Sequence, residues 1–258
     1  MAFHAMLTPV DLSNASDIKF SVFVKNGMLI PAVILWELLA FGMLAFVFVL
    51  IQNSLYGKKW MKGLVYGLSF GGLYFIGMFE AVLLLNSSVL SEFLMGMTDC
   101  ISFVISGVML GIFCGTDSMQ SCKKRNISVT LIVGFFYIVG RYLAYTVVNI
   151  QSANSINPLG TFFWTTSLGL WIGNIYFMLQ SGAKGKSIIL QSLFFGIIIF
   201  GSNWLINHIF MYIVIEFTYD LLIRSGIDIV FIIMGVYTCR KLFNKSVDQD
   251  LNIPHTPL

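Results

Sequence analysis

Charge is what this sequence has least of. Twelve acids and 15 bases are spread over 258 residues, 10% of the chain, while 57% of positions are hydrophobic. A soluble domain ordinarily draws about a quarter of its residues from Asp, Glu, Lys and Arg. So little charge cannot cover a water-facing surface, and a soluble enzyme is excluded. Cysteine is scarce as well: Cys100, Cys114, Cys122 and Cys239 form no C-x-x-C pair, so spacing suggests neither a zinc site nor a disulfide framework. Of three histidines, His4 and His255 lie in the tails, leaving His208 alone where haem would need two membrane imidazoles. The last apolar run holds no lysine before Lys241, which excludes a retinal Schiff base. No glycine-rich phosphate loop stands between a strand and a helix. No metal and no cofactor is expected.

What the chain has in quantity is Phe (24), Gly (23) and Met (13), with a mean hydropathy of +0.86. These suit helices solvated by lipid and packed closely on one another. A bilayer core of ~30 Å takes about 20 helical residues, and seven runs of that order appear. They cover Met28 to Ile51, Gly63 to Leu85, Phe93 to Cys114, Ile127 to Val148, Leu159 to Gln180, Ile188 to Ile215 and Leu221 to Cys239. The expected fold is an all-α integral membrane protein with seven transmembrane helices over residues 28–243. Residues 1–27 lack the pattern of a cleaved signal peptide and read as an extracytoplasmic segment, and residues 244–258 as a short, poorly ordered cytoplasmic tail.

Basic residues resist translocation and so mark the cytoplasmic side. Eleven of the 15 fall on alternate connections: Lys58, Lys59 and Lys62; Lys123, Lys124 and Arg125; Lys184 and Lys186; Arg240, Lys241 and Lys245. The N-terminus is then outside and the C-terminus cytoplasmic, as for a multi-pass protein of a cell membrane. The basic clusters read as topology signals, and no nucleic acid is expected as a partner.

After the first run, the chain suggests three helical hairpins with a period near 60 residues. Glycine pairs mark the entering helices: Gly72 and Gly77, Gly134 and Gly140, Gly196 and Gly201. The expectation is a leading helix followed by three parallel hairpin repeats about an axis along the membrane normal.

An ionised side chain at the bilayer centre costs ~2.5–3.5 kcal/mol on insertion scales, so each one needs water, a partner or a function. Glu37, Glu80, Asp99, Arg141, His208 and Asp228 fall in six different runs, and the fifth offers Thr166. Counted inward at ~1.5 Å per residue, Glu37, Glu80, Asp99, Arg141, Thr166 and Asp228 lie roughly 9–14 Å deep. A shared depth points to a mid-membrane site. Glu80, Asp99, Arg141 and Asp228 are the candidate substrate-binding residues, Glu37 and His208 the proton-coupling candidates, and Thr166, Asn203 and Asn207 the supporting polar groups.

Each has a structural reading too. Glu80 and Arg141 could neutralise one another; Glu216, Asp220, Arg224 and Asp228 could form an i, i+4 ladder; Asn203, Asn207 and His208 could tie helices together. The layer counts four carboxylates against one guanidinium, which suits a small cationic or polar solute. The expected function is therefore a solute transporter or permease with an acidic site in the outer half of the membrane, more a carrier than an enzyme. The alternatives are a non-transporting membrane subunit or regulator, bound to a membrane-protein partner or a second copy, and a membrane-embedded hydrolase using Asp99 and Asp228 as a pair.

Overall fold

The computed structural model describes residues 19–117 and 127–250. Lys123, Lys124, Arg125 and Cys122, most of the N-terminal segment and the end of the tail lie outside the described residues.

Among the described residues, seven long helical rods follow one another along the chain. A short helix α1 (Val22–Lys25) leads into α2 (Leu29–Ile51), α3 (Lys59–Leu85), α4 (Val89–Cys114), α5 (Ile127–Thr146) and α6 (Pro158–Leu179). The sixth rod is composite: α7 (Ile188–Leu193) continues through a π-helical stretch, Phe194–Gly201, into α8 (Ser202–Val214). The last is α9 (Tyr219–Asp250), which continues as helix beyond the expected boundary at Cys239.

Local chemistry sets several of the ends. Asn86, with φ of 52°, ends α3 in the left-handed region that asparagine tolerates, and only Ser87 and Ser88 then separate it from α4. Asn157 accepts from the Gly160 amide ahead of Pro158, and Ser187 from the Leu190 amide. The segment before α1 is pinned to the end of α8: the Ser21 amide donates to the Val214 carbonyl and the Glu216 amide to that of Lys19.

Six rods are long and apolar enough to cross a membrane: α2, α3, α4, α5, α7–α8 and α9. α6 falls outside that set despite its 22 residues, because Thr161, Thr165, Thr166, Ser167 and Asn174 dilute its apolar content. One face is packed on its neighbours, with Thr161, Thr165, Leu168, Ile172 and Ile175 all buried, while Phe162, Phe163 and Leu170 are exposed.

The rods close a circuit in which α3 packs on α6, α6 on α5, α5 on α9, α9 on the π stretch and α8, and α8 on α2. Tyr66 closes it by donating to the Leu44 carbonyl of α2 at 3.0 Å. α4 lies outside this circuit along α3. Four tryptophans bind it crosswise. Trp164 and Trp171 of α6 donate to the Ile76 and Ser69 carbonyls of α3, Trp36 of α2 to the Ile206 carbonyl of α8, and Trp204 of α8 to Asp228 of α9. An indole N–H has to find an acceptor when buried, so each fixes one helix pair in register.

Glycine sets the closest approach. A Cβ on Gly63 would sit 2.0 Å from the Gly107 carbonyl oxygen, and one on Gly107 2.4 Å from that of Gly63. Thus α3 and α4 meet backbone to backbone. In the second hairpin Gly134 meets Gly169, and Gly173 meets Thr130. The third has no such seam: Gly196 faces the Ile233 side chain, and Gly235 packs on Val133 and Phe136 of α5. The third hairpin thus packs differently from the first two.

Three described basic residues, Lys184, Lys62 and Arg240, reach the ends of α2, α4 and α6. Lys184 donates to the Leu50 carbonyl, Lys62 to that of Thr116 at 2.9 Å, and Arg240 to that of Gln180 at 2.9 Å. Leu50 lies in the last turn of α2, where carbonyls lack intrahelical partners, and all three cations stand near the negative ends of helix dipoles.

Replacing Gly107 by Val should destabilise the protein by about 1–3 kcal/mol or more, as overpacking does, and lower its thermal midpoint in detergent by several degrees. Gly42→Ala, where a Cβ would meet nothing within 4 Å, should leave the midpoint unchanged or raise it. Equal effects at both positions would show that the α3–α4 seam does not limit packing.

Candidate functional site

The candidate residues divide between two places. The first is a buried seam of charge. Arg141 projects from α5 towards Asp228 of α9, Nε to Oδ1 at 2.8 Å, with both side chains fully buried. The second oxygen of Asp228 accepts from the Trp204 indole at 2.9 Å. The guanidinium carbon lies 5.3, 5.6 and 5.8 Å from the ring centroids of Tyr137, Trp164 and Trp204. The Nε–Oδ1 contact is an ion pair without hydrogen-bond geometry, and Nη1 and Nη2 find no acceptor among the described residues. Three π faces stand there instead, at the separations where a cation is attracted by an aromatic quadrupole. The charge is thus met by one carboxylate and three rings.

One turn away on α9, Arg224 donates from Nη1 to Glu80 of α3 at 2.6 Å and from Nη2 to the Gln151 carbonyl at 2.5 Å. This corrects two expectations. Glu80 pairs with Arg224 rather than with Arg141, and Arg224 is a buried interhelix bridge rather than a rung of a surface ladder. Glu216 precedes the first turn of α9, and the Asp220 carboxylate accepts from the Gln151 amide at 3.5 Å. The expected layer of four carboxylates around one guanidinium becomes two ion pairs with no net charge, leaving Glu37 and Asp99 elsewhere.

His208 borders this seam. Its Nδ1 is 2.9 Å from Ser225 Oγ and 3.1 Å from the Trp204 carbonyl, and its ring meets Trp204 edge-on at 4.7 Å. Ser225 donates its own proton to the Leu221 carbonyl at 2.7 Å. The Nδ1–Ser225 contact ties α8 to α9.

The second place is a cleft of about 120 Å³ between α2, α3, α4 and α8. It gathers three candidates from three helices: Glu37 of α2, Asp99 of α4 and Asn203 of α8. Asp99 and Asn203 are buried, whereas Glu37 is half-buried. The Asn203 side chain donates to the Ile199 carbonyl at 2.9 Å, and its backbone carbonyl accepts from Tyr74 at 3.1 Å. The tyrosine therefore holds α3 against α8 at the cleft floor. Trp36, Phe41 and Phe103 add aromatic carbon to the lining. Tyr74 stacks on Phe103 with centroids 4.5 Å apart.

Thr166 and Asn207 belong to neither group. The Thr166 hydroxyl is enclosed on α6 without a hydrogen-bond partner among the described residues, and Asn207 lies half-buried one turn beyond Asn203. Asp228, engaged by Arg141 and Trp204, does not line the cleft that holds Asp99, so the paired-carboxylate arrangement of a hydrolase is not assembled. No group of three or more His, Cys, Asp and Glu side chains able to hold a metal ion occurs among the described residues.

Breaking a buried ion pair strands the other charge, at about 3–5 kcal/mol. Arg141→Met and Asp228→Asn, the second of which keeps an acceptor for Trp204, should each cause a loss of that order in thermal unfolding. The double variant should be at least ~1 kcal/mol better than the sum of the two, as coupled partners are. Strict additivity would mean that the pair contributes nothing jointly. Glu80→Gln, at a partly open site, should cost less than either.

Comparison with protein-family models, with curated proteins and with solved structures returns no match, so the reading of this chain rests on its own residues.

Proposed function

We propose that the chain is a seven-span membrane permease for a small cation, with its N-terminus outside, and that its site is the cleft between α2, α3, α4 and α8. One observation carries this reading: carboxylates from two helices, Glu37 and Asp99, line the same hollow. Two acids brought to one opening in an otherwise apolar bundle favour a positive occupant. Glu80, Arg141 and Asp228 have a supporting role here. They pair among themselves and with Arg224 and hold α3, α5 and α9 together, apart from the cleft.

The seventh span in this reading is α6, which is long enough to cross, at ~33 Å for 22 residues. Its hydroxyl-rich face is turned into the bundle. Lys62, Lys184 and Arg240 at the ends of α4, α2 and α6 support the orientation, that end being cytoplasmic. The order of residues also supports a repeat: Lys62, Lys124 and Lys186 are evenly spaced at 62 residues, and so are Gly72, Gly134 and Gly196, and Gly111, Gly173 and Gly235.

A second reading, a non-transporting membrane subunit, draws on the seam. Charges cancelled in pairs specify packing and require no solute. Uptake by the full chain in liposomes separates the two, with sodium, potassium and methylammonium as probes. Glu37→Gln and Asp99→Asn should each lower uptake of the transported probe at least tenfold, while Glu80→Gln changes it less than threefold. If the parent moves none of the probes, or both variants fold and transport as it does, the subunit reading replaces the permease.

A further inference from the structure

We infer that the occupant of the cleft is an organic ammonium ion, a protonated amine or quaternary nitrogen, rather than an inorganic cation. This rests on the reading of the cleft as a cation site and names the class of cation. The lining is dominated by carbon: Trp36, Phe41, Tyr74 and Phe103 contribute rings, and Ala40 and Ile206 alkyl groups. Side-chain oxygen comes from Glu37, Asp99, Ser102, Asn203 and the Tyr74 hydroxyl, and the last is directed at the Asn203 carbonyl.

Hard metal cations surround themselves with six or more oxygens and surrender water reluctantly. Rings offer such an ion no ligand. The backbone offers little more, since every lining residue sits within a helix whose carbonyls are already engaged.

The same lining fits an alkylammonium. Its charge is spread over methyl or methylene surface, which is weakly hydrated and packs against aromatic faces, where the ring quadrupole attracts it. Glu37 and Asp99 supply the counter-charge from α2 and α4. The rings already make a continuous wall: Phe103 stacks on Tyr74 at 4.5 Å and meets Phe41 at 5.9 Å. A cavity of ~150 Å³ accepts benzene, so about 120 Å³ suits an ion of about five heavy atoms. The bundle uses the same chemistry internally, where Arg141 sits among Tyr137, Trp164 and Trp204 with Asp228 as its counter-ion.

The test is calorimetric titration of the full chain in detergent with tetramethylammonium, with its neutral counterpart of equal size, tert-butanol, and with sodium and potassium. Tetramethylammonium should bind at least tenfold more tightly than tert-butanol, and Asp99→Asn should weaken it tenfold or more. Phe103→Leu should weaken it about two- to thirtyfold, the range expected for loss of one aromatic face. Phe41→Leu, at a partly exposed ring, repeats that test if the first variant fails to fold. Binding of sodium or potassium that is sensitive to Asp99→Asn, with no binding of tetramethylammonium, overturns the ammonium assignment and leaves the cation site standing. Tetramethylammonium binding unaltered in both folded ring variants also overturns it. If none of the three cations binds, the cation reading of the cleft falls as well.

Discussion

The pairing of Arg141 with Asp228 inside an aromatic enclosure is the constraint around which the bundle is arranged. An unpaired charge held away from water would cost several kcal/mol, and mutual attraction offsets this only when the geometry is good and the remaining polar groups are met. Here the carboxylate receives the guanidinium on one oxygen and the Trp204 indole on the other, while three rings cover the guanidinium. Those partners come from α5, α6, α8 and α9. One buried cation therefore fixes the relative placement of four rods, and the Arg224–Glu80 bridge extends the arrangement to α3.

With that seam neutral, the candidate residues divide between two places. On the α5–α9 side, charge is cancelled and aromatic rings are filled by the protein's own guanidinium. On the α2–α4 side, carboxylates and rings face a hollow. The intervening helix α3 contributes Glu80 to the first and Tyr74 to the second. Its glycines let α4 approach backbone to backbone, which brings Asp99 and Phe103 up to the cleft wall. Packing decisions made with hydrogen atoms in place of side chains thus position the groups that would meet a ligand.

The rods were legible because apolar runs bounded by basic clusters report helices directly, and all seven runs became long helical elements. The polar layer was legible as a set of residues but not as a set of partners. Arg224 shows why. It lies five residues inside α9, as Glu80 lies five before the end of α3, so depth counting places them level. Its spacing of four from Asp220 and Asp228 suggested a local ladder that tertiary packing overrode. The cleft was less legible still. Glu37, Asp99 and Asn203 stood out as polar residues in apolar runs, whereas Trp36, Tyr74 and Phe103 are unremarkable in a chain with 24 Phe and 10 Tyr. Which aromatics share a wall depends on how helices rotate against one another, and linear spacing does not carry that. The composite sixth rod likewise read as an ordinary apolar run, with nothing to mark the π turn that precedes Asn203.

The ion pairs also impose an order on biosynthesis. Glu80 and Arg224 are separated by 144 positions, and Asp228, the counter-ion of Arg141, belongs to the same final helix. While the ribosome is still making the earlier rods, Glu80 and Arg141 are embedded without their partners. A chain that stops short of α9 lacks the partners that Glu80 and Arg141 have in the complete bundle.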